Sequence, residues 1–156
     1  MNNVVRIYPD TSVFGGYFDP EFKKWSRLLI EEFKSGIKIA VISDLTLREL
    51  MEAPSEVRSL VSEIPETYKE YVILDEEAKE LAYHYIEEKV VTEKFLIDAQ
   101  HIAIATVNHV DVLVSWNFKH IVNLKKVRLY NSVNLKYGYH LLEIRSPMEV
   151  LNGEEF

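Results

Sequence analysis

Short apolar runs alternate along the chain with longer stretches in which apolar residues recur every three or four positions. "VRIY" (5–8), "IKIAVI" (37–42) and "VDVLVS" (110–115) are brief and β-branched, which predicts strands. "YVIL" (71–74) reads as a strand or an extended segment, and "VRLYN" (127–131) and "LLEIRS" (141–146) complete the strand candidates. "EFKKWSRLLIEEFKSG" (21–36) spaces Phe22, Trp25, Leu29 and Phe33 as one helical face, with Gly36 as terminator. Ser43 or Asp44 caps a helix through "LTLRELMEA", and a further helix follows Pro54 and Ser55 to about Ile64. Asp75 caps "EEAKELAYHYIEEK", with Ala78, Leu81, Ala82 and Tyr85 on one face, and "IDAQHIAIATVNH" (97–109) is a helix of small residues. Strands alternating with amphipathic helices predict an α/β fold whose parallel sheet is covered on both faces.

Composition narrows the class of protein. The 156 residues suffice for one domain, taken as 1–156, and 47% hydrophobic with 28% charged residues reads as soluble and globular. The absence of cysteine excludes thiolate chemistry and a disulfide framework, and suits a cytoplasmic setting. The start "MNNVVRIYPD" lacks signal-peptide character, and no apolar run approaches the ~20 residues that span a bilayer, so no membrane partner is expected. The net charge of −7 argues against broad nonspecific binding to nucleic acid. One local exception is "KHIVNLKKVR" (119–128), in which Lys119, Lys125, Lys126 and Arg128 stand without an acid: a basic rim, or simply a solvated loop.

The candidate chemistry lies where strands end. In α/β sheets ligands gather at the carboxyl ends of the strands, where connections diverge. Asp10 follows the first strand and Asn117 the "VDVLVS" strand; Glu49 lies on the helix after the second strand, and Asp98 opens the helix before "VDVLVS". Each has a plainer reading: Asp10 and Asp98 as helix caps, Glu49 as a solvated helical acid, Asn117 as a turn residue. Together, three carboxylates and an amide oxygen need a cation to offset their desolvation and repulsion, and hard oxygen donors suit Mg²⁺ or Mn²⁺. Arg48 is then the ion-pair partner of Glu49 or a phosphate contact, and Lys119 belongs to the basic rim. Asp111 belongs at the opposite end of the sheet. The five histidines form no zinc pattern, and His101 and His120 are expected in hydrogen-bonded structural roles. No G-x-G-x-x-G or P-loop is present.

In order, "YPDTSVFGGYF", "LTLREL", "LIDAQHIAIAT" and "VLVSWNFKHI" resemble the PIN-domain nucleases, especially the VapC-like toxins, and "NSVNLKYGYHLLEIRSPMEVL" resembles their C-terminal segment. The resemblance covers essentially the whole chain. It implies a PIN-like three-layer α/β/α sandwich with a central, mostly parallel sheet, and an Mg²⁺- or Mn²⁺-dependent ribonuclease acting on an RNA substrate. It also implies a possible antitoxin protein as partner and a homodimer. The family's acids fall on Asp10, Glu49 and Asp98, with its hydroxyl on Thr11 or Ser12, which would orient a ligand or phosphate. Its last acid is Asn117 here, within Ser115-Trp116-Asn117, a departure that removes one charge. Arg48, Lys119 and His120 are carried as substrate contacts. The alternative is a PIN-like module that binds RNA or a protein partner and cleaves poorly.

Overall fold

The computed structural model describes residues 4–152. Strand β1 (Arg6–Pro9) is followed by α1 (Thr11–Gly16) and α2 (Lys23–Lys34), and β2 (Ile39–Ser43) by α3 (Asp44–Leu50) and α4 (Ser55–Glu63). Next come β3 (Lys69–Val72), α5 (Glu76–Glu87), α6 (Leu96–Val107), β4 (Val112–Val114), α7 (Leu124–Lys136), β5 (Ile144–Arg145) and α8 (Pro147–Val150). The strands form one sheet in the order β3-β2-β1-β4-β5, and every pairing is parallel.

Strand alternation assigns the two faces. Ile7, Ala40, Ile42, Val112 and Val114 point to the layer holding Val13, Phe14, Leu29, Phe33, Val57 and Leu60 of α1, α2 and α4. Tyr8, Val41, Leu113 and Ile144 point to the other layer, with Leu81, Tyr85, Ile102 and Tyr130 of α5, α6 and α7. Each fully buried large side chain contributes about 1.5–3 kcal/mol by leaving water, so both layers are needed to hold the short strands flat between them. The result is the expected α/β/α sandwich.

The local chemistry explains most boundaries. Ser43 caps α3 by accepting from the Thr46 amide at 3.0 Å, while Asp44 accepts from the Leu74 amide instead. Asp75 caps α5 through the Ala78 amide, and Asp111 lies at the far end of the sheet, accepting from the Arg6 amide. "VRLYN" differs from expectation: it lies inside α7. Asn123 caps that helix through the Lys126 amide, Tyr130 and Val133 recur at helical spacing into the core, and Gly138 follows it with positive φ.

Candidate active site

The chain winds from β1 outward through β2 to β3, then crosses to β4 and β5 on the other side. The switch point therefore falls between β1 and β4, and the segments leaving their carboxyl ends diverge there, where sheets of this kind form their ligand clefts. Pro9 is the last residue of β1; its ladder to β2 ends at Ile7, so its missing N–H disrupts nothing, and its register continues against Val114. The amide of Asp10 donates to the Val114 carbonyl at 3.0 Å, which fixes the backbone of the first acid on rigid sheet.

Asp10 is 5% exposed and is both a cap and a cleft residue. One oxygen accepts from the Ser12 amide at 3.0 Å and the Ser12 hydroxyl at 2.5 Å, and the other from the Ser115 hydroxyl at 2.6 Å. Burial pushes its carboxyl above the ordinary range despite His101 and these donors. Glu49, half-buried on α3, accepts from the Thr11 hydroxyl at 2.6 Å and meets Nε2 of His101 at 2.6 Å. Burial works to raise its carboxyl, but the bonds from His101 and Thr11 outweigh it, and the group sits below its ordinary value.

Asp98 lies in the first turn of α6 and does not cap it; the N-cap position is Phe95. Burial, then the charge of Asp10, raise its carboxyl. The amide nitrogen of Asn117 approaches it at 3.4 Å, while the amide oxygen of Asn117 accepts from the Lys119 and His120 backbone at 3.2 and 3.0 Å. Asn117 thus caps the turn after β4 and turns its nitrogen toward the acid. Arg48 and Lys119 are exposed, and their side chains have no partner among the described residues. His120 stacks on Phe95 with centroids 3.7 Å apart.

Behind the acids runs a buried chain that sequence reasoning caught only at His101. That ring is 2% exposed; its Nδ1 meets the Tyr8 hydroxyl at 2.6 Å, and Tyr8 meets the Ser43 hydroxyl at 2.7 Å. A carboxylate only accepts, so Nε2 of His101 carries the proton shared with Glu49. Ser115 is a second addition, holding Asp10 and accepting from the Asn117 amide at 2.9 Å. Sequence spacing carried the signals: Tyr8 and Asp10 share a strand face at i and i+2, and Asp98 and His101 a helix face at i and i+3.

The donors are acid oxygens, and two of the three acids, Asp10 and Asp98, are held back from ionising first by burial and then by a neighbouring carboxylate. That chemistry fits a hard divalent cation. Among the described residues, no three His, Asp or Glu side chains stand close enough to hold an ion between them directly.

The parallel sheet, its helical layers and the cleft at the switch point define a PIN-like α/β/α sandwich. The same fold is found in VapC20 of Mycobacterium tuberculosis, described as a sarcin–ricin-loop-cleaving toxin, with a TM-score of 0.54 and 15% sequence identity over 73% of this chain and 92% of that one. No family model matches the chain, and no curated protein matches it in sequence.

Proposed function

We propose that the protein is a divalent-metal-dependent endoribonuclease, the toxin of a toxin–antitoxin pair, built as a single PIN-like domain over residues 1–156 and paired as a homodimer. The reading is supported by three acids on separate elements, Asp10, Glu49 and Asp98, whose charges bear on one another around His101, each with its own hydrogen-bonded support. Nuclease chemistry in a toxin of the same fold supports RNA as the substrate class.

Asp10, Glu49 and Asp98 would hold Mg²⁺ or Mn²⁺ partly through waters that the ion retains, as hard cations of this kind commonly do. Such an ion supplies activation of water and stabilisation of charge on the phosphodiester. The chain does the rest. Ser12 and Ser115 fix Asp10, Thr11 and His101 fix Glu49, and Asn117 steadies Asp98. Arg48 and Lys119, whose side chains have no partner among the described residues, are available to phosphate oxygens. The second reading, a module that binds but cleaves poorly, draws on Asn117, whose oxygen is spent on capping a turn.

The test is cleavage of a generic single-stranded RNA with Mn²⁺ by the parent, Asp98→Asn and Asn117→Asp chains, with Mn²⁺ titrated calorimetrically into each. Cleavage by the parent and its loss in Asp98→Asn support the nuclease. Parent binding of Mn²⁺ without cleavage selects the binding module, and absence of both sinks the site. Growth arrest on expression, relieved in Asp98→Asn, tests the toxin role.

A further inference from the structure

A cavity of about 430 Å³ opens beside the acidic cleft, walled by Ile86, Val90, Val91 and Phe95 and rimmed by Lys89, His120 and Lys126. Its volume lies in the range of small-ligand sites, roughly 300–1,000 Å³. Two residues join it to the cleft. Phe95 precedes Asp98 by three residues, and the backbone of His120 donates to Asn117. The Phe95 and His120 rings stack at 3.7 Å with 29° between their planes, so each covers one face of the other and a further flat ring could only extend the stack from an outer face.

Several cations near this cavity are not matched by acids. Acids outnumber lysine and arginine by 25 to 18, and Lys34, Lys38, Lys69 and Lys136 each meet a glutamate. Lys89, at the cavity rim, and Lys119 and Lys125, in the segment that carries His120, have no partner for their ammonium groups among the described residues. Lys126 donates to the Val90 carbonyl, which leaves its charge at the rim. An apolar, aromatic-walled hollow with cations at its mouth matches a unit that is flat and apolar at one end and anionic at the other.

We propose that this cavity receives one unstacked base of single-stranded RNA, adjacent to the phosphodiester held at the acidic cleft. The base lies in the apolar hollow and extends the Phe95–His120 stack from its outer face, and Lys89 and Lys119 take flanking phosphates. The proposal rests on the nuclease reading and deepens it with a base subsite, which needs its nucleotide unpaired, since a base within a duplex cannot leave its stack without cost. An acidic peptide would satisfy the lysines but joins a charge to a ring only where an acid happens to adjoin an aromatic residue, whereas every nucleotide carries both. Inorganic phosphate would leave the apolar walls in water.

Binding of a fluorescein-labelled single-stranded RNA octamer, in EDTA so that nothing is cut, tests this. Thr92 is exposed and also lines the cavity, so Thr92→Trp fills the hollow from outside without touching the core. Its Kd should rise about tenfold, the loss of one stacked base. Lys89→Glu should weaken binding and flatten its salt dependence. Arg58→Glu, on α4 against the opposite face of the sheet, should leave binding near the parent's. The octamer should be displaced by adenosine 5′-monophosphate and not by inorganic phosphate at equal concentration. Unchanged affinity in both Thr92→Trp and Lys89→Glu, or an equal loss in Arg58→Glu, overturns the cavity while leaving the nuclease reading intact if the parent cuts RNA with Mn²⁺. A parent that neither binds nor cuts RNA overturns both.

Discussion

At the scale of single residues, the cleft is organised by hydroxyls and one imidazole as much as by acids. Tyr8 shows why. Its hydroxyl lies deep in the core, its ionisation suppressed by burial, and it joins His101 to Ser43. His101 in turn sets the orientation of Glu49, which also takes the Thr11 hydroxyl. Tyr8→Phe removes one oxygen and leaves the ring in place, yet it strands the Nδ1 of His101 and one bond of Ser43. We expect a loss of about 1–3 kcal/mol in urea unfolding, the cost of unsatisfied buried polar groups. Metal-dependent cleavage should fall as well, because Glu49 loses its fixed partner although Tyr8 itself faces the core. Parent-like stability and activity in Tyr8→Phe would show that the imidazole holds its place by packing alone.

At the scale of elements, the cleft depends on how closely α1 approaches the segment after β4. Gly16 ends α1, and a Cβ there would stand 2.6 Å from the Ser26 hydroxyl and 2.7 Å from Nε1 of Trp116. Those two atoms bond each other at 2.9 Å, and the Trp116 amide donates to the Ser12 hydroxyl that supports Asp10. Gly16→Ala should therefore cost about 1–3 kcal/mol, as overpacking does, and shift tryptophan fluorescence. Gly15→Ala is the matched control: a Cβ there meets nothing within 4 Å, so stability should hold or rise by about 0.5–1 kcal/mol. Equal effects at the two glycines would mean that helix propensity, not the contact with Trp116, decides. This close approach was invisible in the sequence, because "GG" does not say which glycine meets a neighbour. Strand alternation and helix periodicity were legible, and so were the elements that carry Asp10, Glu49 and Asp98. "VRLYN" misled because its branched and aromatic residues suit a strand locally, whereas the Asn123 cap and the burial of Tyr130 and Val133 make it helical. The orientation of Asn117 was hidden for another reason: a turn whose amides need an acceptor competes for the same oxygen.

At the scale of the whole molecule, a chain already carrying a net charge of −7 holds Asp10 buried and Glu49 and Asp98 half-buried, with charges that bear on one another, so its stability must depend on pH and on cations together. The carboxyls of Asp10 and Asp98 are raised, first by burial and, for Asp98, then by Asp10. A carboxyl raised on folding contributes stability that is complete below its unfolded value and is lost as pH climbs through the raised one. Glu49 is lowered and acts oppositely, contributing above its unfolded value and losing that contribution as pH falls. A single substitution separates the two. Asp10→Asn keeps the acceptor for Ser12 and presents an amide to Ser115, while removing one charge. Without divalent metal, the variant should become progressively more stable relative to the parent as pH rises from the acid side of the carboxylate range to neutrality, and the two should converge in acid. Mn²⁺ should reverse the order at neutral pH, because only the parent retains all three acids. At roughly ten times its Kd, the ion stabilises a folded state that binds it by about 1.4 kcal/mol. Thermal unfolding of both chains, with Mn²⁺ and with EDTA, reads the four conditions directly. A parent whose melting temperature is unmoved by Mn²⁺, with a pH-independent gap to Asp10→Asn, would mean that Asp10 serves as a cap for α1 and not as part of a cation site.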